Sequence, residues 1–202
     1  MKIVLSAIDK PLADAWRKYT SDFDFVEVIE TNIFDAGCEA IVSPANSYGF
    51  MDGGIDWLYT QKFGWIVQER LQKKIKEEFG GELLVGQATM VPTDNKDILY
   101  LISAPTMRIP VSLGNKTVNP YLAARATFIC AKENNIQSIV MPGLGTGVGN
   151  VPPEVCALQV KTAIEEIILG EYVFPVSWHD ALDRHTYLYT GLRSRPNIAG
   201  LN

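Results

Sequence analysis

The segment 138–150, SIVMPGLGTGVGN, joins a short apolar run to closely spaced glycines. The run 138–141 is typical of a buried β-strand, and glycine occupies every second position in 143–149. A proline pair at 152–153 then leads directly into a helical pattern. Because glycine has no Cβ, backbone N–H groups in such a loop can surround an anion, and the helix N-terminus adds unpaired donors. The segment therefore predicts an anion-binding loop, with a tight turn built on positive φ angles as the alternative.

Strand and helix patterns alternate on both sides of this segment. Short, fully apolar runs are typical of strands that are covered on both faces of a sheet. The alternation predicts an α/β fold with helices on both faces of the sheet. Strands are expected at 2–8, 23–29, 40–42, 88–91, 98–102, 138–141 and 172–176. Helices are expected from Pro11 onward, at 57–79 with a break near Gly64, at 121–134 and at 154–169.

Two parts of the chain lack a periodic pattern. The segment 105–118 contains prolines and no periodicity, so it is expected to be a loop, and loops of this length often carry function. From residue 179 onward the sequence is polar and aromatic, and a loose C-terminal tail is expected there.

The composition is that of a folded domain with a sizeable core, since 47% of the 202 residues are hydrophobic and 20% are charged. A net charge of −5 disfavours a nucleic-acid-binding face. The sequence shows no signal peptide and no apolar run near the roughly 18 residues of a membrane span. Three scattered cysteines and two histidines disfavour a disulfide framework and a metal site. We therefore expect a cytoplasmic protein that has no membrane partner and carries neither a metal nor a cofactor.

Two glycine-rich loops leave the carboxyl ends of predicted strands, one spanning 43–56 and the other 142–150. Ligands of open α/β sheets bind in the crevice outside these strand ends. Both loops face one crevice if their strands are neighbours. The sequence therefore predicts one ligand site that the two loops form together.

Three motifs make the sequence similar to the macro domain family, whose members bind ADP-ribose. The run IVSPAN at 41–46 resembles the family's strand that ends in Val-Asn-Ala-Ala-Asn. GGID at 53–56 resembles the family's Gly-Gly-Val-Asp, and PGLGTGV at 142–148 resembles its Pro-x-x-Ser-Thr-Gly-Ile loop. The order and spacing of the motifs also agree, and the similarity covers roughly 25–178.

This resemblance implies a domain organisation and a partner. The implied fold is a single macro-domain-like α/β domain over 1–178, with three α/β/α layers around a mixed central sheet. Residues 179–202 form a C-terminal extension that the resemblance does not explain. The implied partner is ADP-ribose or an ADP-ribosylated substrate, bound in the crevice of the sheet.

The resemblance also assigns roles to residues of the early loops. Asn32, followed by Ile33, stands where the family reads adenine with an aspartate, and a helix or turn cap is the alternative. Asn46 matches the asparagine that binds the distal ribose, and an Asx-turn is its alternative. Asp56 matches an acidic position that can orient a water molecule, and the N-cap of the next helix is its alternative. Asn46 and Asp56 are therefore the candidate catalytic residues.

Further candidates surround the expected ribose and diphosphate. Ser43 replaces the first asparagine of the family's motif, and Gly149 stands where many members carry an aromatic residue over the distal ribose. Trp178 is a candidate for stacking on adenine, with packing as its alternative. The further candidate ligand-binding residues are Ser43, Ala45, Gly53, Gly54, Ile55, Gly143, Gly145, Thr146, Gly147, Val148, Gly149 and Trp178.

Three functions remain open at this point. The first is hydrolysis of an ADP-ribosyl bond or of ADP-ribose-1″-phosphate, in which Asp56 orients water and Asn46 positions the sugar. The second is a module that binds ADP-ribose without turnover. The third is an accessory domain that has lost nucleotide binding, because Asn32, Ser43 and Gly149 depart from the family's pattern.

Overall fold

A computed structural model gives the fold of the protein and describes residues 1–44 and 46–192. The candidate Ala45 and the final part of the expected extension, 193–202, lie outside the described residues. The strands are β1 (Lys2–Ser6), β2 (Val26–Ile29), β3 (Ala40–Ser43), β4 (Thr89–Pro92), β5 (Tyr100–Ser103) and β6 (Ser138–Met141). The helices are α1 (Lys10–Thr20), α2 (Gly54–Phe63), α3 (Ile66–Glu78), α4 (Asn119–Glu133), α5 (Pro153–Ala163) and α6 (Trp178–Thr190).

The strands form one mixed six-stranded sheet in the order β2-β1-β6-β3-β5-β4. Neighbouring strands pair in parallel except β4 and β5, which pair antiparallel. The strand β6 therefore lies between β1 and β3, near the middle of the sheet. Its bounds coincide with the predicted run, and the expected mixed sheet is confirmed.

Helices cover both faces of the sheet. Side chains alternate across each strand, so Leu5 packs on one face and Val4 on the other. The helices α1, α4 and α5 cover the face of Leu5 with buried side chains such as Trp16 and Phe128. The helices α2 and α3 cover the face of Val4, around Tyr59. Each large apolar side chain buried in this way contributes about 1.5–3 kcal/mol to the stability of the fold. The helices on both faces confirm the expected three-layer α/β/α architecture.

The C-terminal region differs from the sequence expectation. No strand forms at 172–176, and the predicted loose tail begins instead with the helix α6. The Ser177 hydroxyl accepts a hydrogen bond from the N–H of Asp180 at 3.1 Å, which caps the helix, and Gly191 ends it with a φ of 67°. Leu188 is buried against the domain, and its carbonyl accepts a bond from the side-chain amide of Gln159 at 3.1 Å. Caps and packing therefore outweigh the strand-like composition of the preceding residues.

Candidate functional site

A cavity of about 1000 Å³ opens at the carboxyl ends of β1, β3 and β6. Because β3 and β6 are neighbours in the sheet, the loops that follow them face each other across this cavity. The expectation of one crevice formed by two glycine-rich loops is met. Predicted site residues that line the cavity are Asn32, Ile33, Asn46, Gly53, Gly54, Ile55, Asp56, Gly143, Gly145, Thr146, Gly147, Val148 and Gly149.

The loop after β6 lines the cavity, and several of its backbone amides have no acceptor in the described part of the protein. It closes on itself through bonds from Val151 N to Gly145 O (3.1 Å) and from Asn150 N to Gly147 O (2.9 Å). The N–H groups of 145–149 donate to no acceptor among the residues that the structure describes. Unpaired amides that converge on a hollow are a common way for proteins to bind an anion. The loop therefore leaves these donors available to a ligand.

The glycines of this loop have different reasons to be glycine. Gly145 adopts a φ of 69°, which side chains disfavour. A Cβ on Gly143 would lie 2.2 Å from the Thr146 hydroxyl, and one on Gly149 would lie 2.4 Å from the Gly145 carbonyl oxygen. A Cβ on Gly147 would meet nothing within 4 Å, and Gly147 is not among the residues with positive φ. The alternative of a turn built on positive φ angles therefore does not explain Gly147, where the fold leaves room for a ligand to approach.

The N-terminus of α2 is a second source of free donors. Its N-cap is Gly53, with extended backbone (φ −146°) and no side chain that caps the first turn. Across the described chain, the N–H groups of Gly54, Ile55 and Asp56 find no acceptor, as expected for an uncapped first helical turn. A Cβ on Gly53 would also meet nothing within 4 Å. The helix end therefore adds unpaired amides and the positive end of a helix dipole to the cavity.

Asp56 lies at the base of the cavity with only 7% of its surface exposed. It is the third residue of α2, so the alternative that it forms the N-cap is wrong. The Ser43 hydroxyl donates to its Oδ1 at 2.5 Å, and its Oδ2 has no partner within the described parts of the chain. Burial raises the pKa of Asp56 to about 7, and the bond from Ser43 opposes this increase. The carboxyl group can therefore exchange a proton near neutral pH.

Ser43 lies below the cavity instead of on its lining. Its side chain is fully buried, and its hydroxyl is directed to Asp56. Direct contact between Ser43 and a ligand is thus not supported, because the carboxyl group stands between them. The residue acts on the site through Asp56.

Asn46 forms the Asx-turn that was its alternative role. Its Oδ1 accepts bonds from the N–H groups of Tyr48 (3.1 Å) and Phe50 (3.2 Å), and its Nδ2 donates to the Phe50 carbonyl (2.9 Å). Both lone pairs of the oxygen are thereby used, and one N–H of the amide is left. Asn46 lines the cavity and can offer a ligand one hydrogen bond, as a donor.

Asn32 has the cap role that was its alternative. Its Oδ1 accepts a bond from the N–H of Phe34 at 3.1 Å and caps the short 3₁₀ helix Ile33–Asp35. The Nδ2 group has no partner in the described structure and lies on the cavity lining. Asn32 can therefore donate to an acceptor atom of a base, but its oxygen is already engaged.

Trp178 does not line the cavity. It is the first residue of α6 and is 83% exposed, so it neither stacks on a ligand in the cavity nor packs in the core. The sequence expectation placed it after a final strand that the structure does not contain. The helix α6 instead carries this residue on the surface.

A third loop that lines the cavity was not predicted from the sequence. The loop between β1 and α1 contributes Ala7, Ile8 and Asp9, because β1 lies beside β6. The same rule about strand carboxyl ends applies to this loop, but it lacks the glycines that identified the other two. The long loop 105–118 also reaches the lining, through residues such as Met107 and Pro110.

Four carboxylates line the cavity, whereas no lysine or arginine of the described chain does. Asp9 caps α1 by accepting from Leu12 N at 3.0 Å. Glu30 forms an ion pair with Arg17 at 2.5 Å. The other two carboxylates are Asp52 and Asp56. A bound anion must therefore rely on the backbone amides.

Over residues 1–44 and 46–192, no group of three or more His, Cys, Asp or Glu side chains is arranged to hold a metal ion. No helix in the same ranges is both long and apolar enough to span a membrane.

The fold and the cavity define a class of protein: a three-layer α/β/α domain with a ligand cavity at the carboxyl ends of its central strands. The sequence model of the Macro domain matches residues 42–160, more than half of the chain. The chain belongs to the macro domain family.

Relatives and solved structures agree with this assignment. An uncharacterised protein of Aquifex aeolicus is 30% identical over 142 residues, which are 70% of this chain and 80% of the relative. A macro domain-containing protein of Caldanaerobacter subterraneus is 28% identical over 168 residues, 82% of this chain and 93% of the relative. The macrodomain of Mycobacterium tuberculosis DarG is similar in structure, with a TM-score of 0.58 and 23% identity, covering 67% of this chain and 87% of that one. The Oceanobacillus iheyensis macrodomain with ADP has a TM-score of 0.60 and 20% identity, covering 69% of this chain and 74% of that one.

Proposed function

We propose that the cavity binds ADP-ribose, either free or attached to a substrate, and that the protein hydrolyses the bond to the distal ribose. One observation carries the proposal: two sets of unpaired backbone amides, at 145–149 and at the start of α2, belong to residues that line one cavity. A diphosphate is an anion that such donors can hold without basic side chains. The cavity is also large enough for a nucleotide-sized ligand.

The comparisons support this choice of ligand. The Oceanobacillus iheyensis macrodomain has been solved with ADP, and a variant of it with ADPR. In the present chain, Asn32 donates to the adenine base, the two amide sets hold the diphosphate, and the last N–H of Asn46 binds the distal ribose. This order follows the arrangement of the loops around the cavity.

Hydrolysis requires a group that activates water, and Asp56 is the candidate. A water molecule bound to its Oδ2 attacks the anomeric carbon of the distal ribose. The bond from that carbon to the acceptor group breaks as Asp56 takes a proton from the water. Asp56 then passes this proton to the acceptor, which leaves with the electron pair of the broken bond. A pKa of about 7 suits Asp56 to accept and return a proton at neutral pH.

Turnover and binding assays on Asp56→Asn test the proposal. We expect the rate on ADP-ribosylated protein or ADP-ribose-1″-phosphate to fall by about 10²–10⁴-fold, the usual contribution of a general base. The affinity for ADP-ribose should change far less, because the oriented water matters mainly in the transition state. Asp97→Asn removes an exposed carboxylate outside the cavity and is the matched control. A wild-type protein that binds ADP-ribose and turns over none of these substrates would favour the binding module.

A further inference from the structure

Asp52 is a carboxylate at the cavity that the fold does not use. The other three lining carboxylates are engaged, by Ser43, by the N-terminus of α1 and by Arg17. Asp52 has no hydrogen bond or ion pair with any described residue and is exposed to solvent. An unpaired carboxylate on the wall of a cavity is available to a donor group or a cation of the ligand.

Phe50 is an aromatic residue two positions before this carboxylate, and both residues line the cavity. Phe50 is 52% exposed, and the centroid of its ring lies 6.5 Å from that of Tyr48. The Asx-turn of Asn46 holds the Phe50 backbone at both its N–H and its carbonyl. The turn therefore fixes the backbone that carries the ring, two residues before Asp52.

This part of the wall lies next to the reacting end of the proposed substrate. Asn46, the donor to the distal ribose, is bonded to Phe50, and Asp52 directly precedes the N-cap Gly53 of α2. Asp56, four residues after Asp52, is buried, lines the same cavity and has an Oδ2 without a partner in the described structure. A group attached to the distal ribose therefore extends toward Phe50 and Asp52.

We infer that the acceptor group of the substrate is a guanidinium, as in arginine-linked ADP-ribose, held between the Phe50 ring and the Asp52 carboxylate. The inference rests on the proposed function and specifies its substrate class. A guanidinium stacks on an aromatic face and pairs with a carboxylate through several N–H donors, so it matches both groups at once.

Other acceptors fit this wall less well. A glutamate or aspartate acceptor offers no donor to Asp52, and a serine acceptor offers neither charge nor a flat surface for Phe50. A nucleic-acid acceptor brings phosphates close to the four lining carboxylates of a chain whose net charge is −5. The cationic acceptor is the one whose charge complements the cavity.

Competition experiments with matched substrates test the inference. One peptide is prepared with ADP-ribose on arginine, on glutamate or on serine, and a fourth ligand is an ADP-ribosylated oligonucleotide. Apparent affinities and initial rates are measured for wild type, Asp52→Asn, Phe50→Ala and the control Asp97→Asn. We expect wild type and the control to prefer the arginine-linked ligand. Asp52→Asn and Phe50→Ala should each reduce this preference by about threefold to tenfold. The preference should also decline as salt is added, because the ion pair between the guanidinium and Asp52 is exposed to solvent.

Free ADP-ribose separates this inference from the proposed function. If Asp52→Asn and Phe50→Ala bind free ADP-ribose at least as tightly as wild type and only these two variants lose the preference, the inference stands. If wild type binds free ADP-ribose but prefers the oligonucleotide or the glutamate-linked or serine-linked peptide, or has no preference, the inference is wrong while the proposed function survives. If Asp52→Asn and Phe50→Ala keep the wild-type preference, the assigned residues are wrong. If wild type binds no ADP-ribose ligand, both proposals fail together.

Discussion

Replacing Asp56 with asparagine should change the pH dependence of stability in a way that its burial dictates. The pKa of Asp56 is about 7 in the folded protein against an ordinary value of 3.8, because burial disfavours the charged form. Between these two pH values the folded state holds a proton that the unfolded state has already released. Stability is therefore lost as the pH rises from about 4 to about 7, and the loss is complete above that range.

The magnitude follows from the difference between the two pKa values. One pKa unit corresponds to about 1.4 kcal/mol, so ionised Asp56 costs the fold about 4 kcal/mol at pH 8 relative to pH 4. Asparagine has nearly the same shape, its oxygen can still accept from Ser43, and it does not titrate. The stability of Asp56→Asn relative to wild type should therefore rise by about 4 kcal/mol between pH 4 and pH 8.

Urea unfolding of both proteins at several pH values measures this quantity. All other titrating groups are common to the two proteins and cancel in the difference between them. The result that refutes the reasoning is a constant difference across the range, which would mean that Asp56 has an ordinary pKa and is better solvated than the structure shows. A difference that grows as the pH falls would contradict even the sign.

Three further predictions follow from neighbouring features of the structure. Ser43→Ala removes the hydroxyl that lowers the pKa of Asp56, so the carboxyl should titrate at a higher pH in a ¹³C NMR titration, and an unchanged midpoint would contradict the bond. Ser177→Ala removes the cap of α6 and should cost about 1 kcal/mol, seen as faster hydrogen exchange in that helix and not in α3. Raising NaCl from about 0.05 M to about 0.5 M should strengthen ADP-ribose binding, because Asp9, Glu30 and Asp52 line the cavity and salt screens their repulsion of the diphosphate. Weaker binding at high salt would instead indicate a basic group at the site.

The sheet and its central loop could be predicted from local patterns alone. The apolar run at 138–141 and the glycines after it were sufficient to locate β6 and the glycine-rich loop, since their signals are short-range. The broken helix at Gly64 was also predictable, and the structure gives this residue a φ of 83°. The helix α6 was not predicted. The apolar residues Val173, Phe174 and Val176 suggested a strand, and the Ser-x-x-Asp capping signal at 177–180 is weaker.

The chemistry of the site depended on contacts that a sequence does not display. The burial of Asp56 and its bond to Ser43 join residues thirteen positions apart through the packing of α2 on the sheet. Only the structure shows that Gly147 has open space where a side chain would be, because this depends on the position of its neighbours. Likewise, Asn46 and Asn32 each had two possible roles, and only the hydrogen bonds showed that their side-chain oxygens belong to the turns.

Calorimetry with ADP-ribose on wild type and Gly147→Val tests directly whether the free amides of 145–149 hold the diphosphate. We predict micromolar-range affinity for wild type, about −8 kcal/mol, and loss of binding in the variant, because a valine there extends into the cavity across the free amides. The variant should keep the wild-type melting temperature, since a Cβ at this position meets nothing within 4 Å. Ser112→Val, in an exposed loop outside the cavity lining, should bind as wild type does. No heat from wild type at millimolar ADP-ribose would contradict binding of this ligand. Normal binding by Gly147→Val would contradict the role of the 145–149 amides.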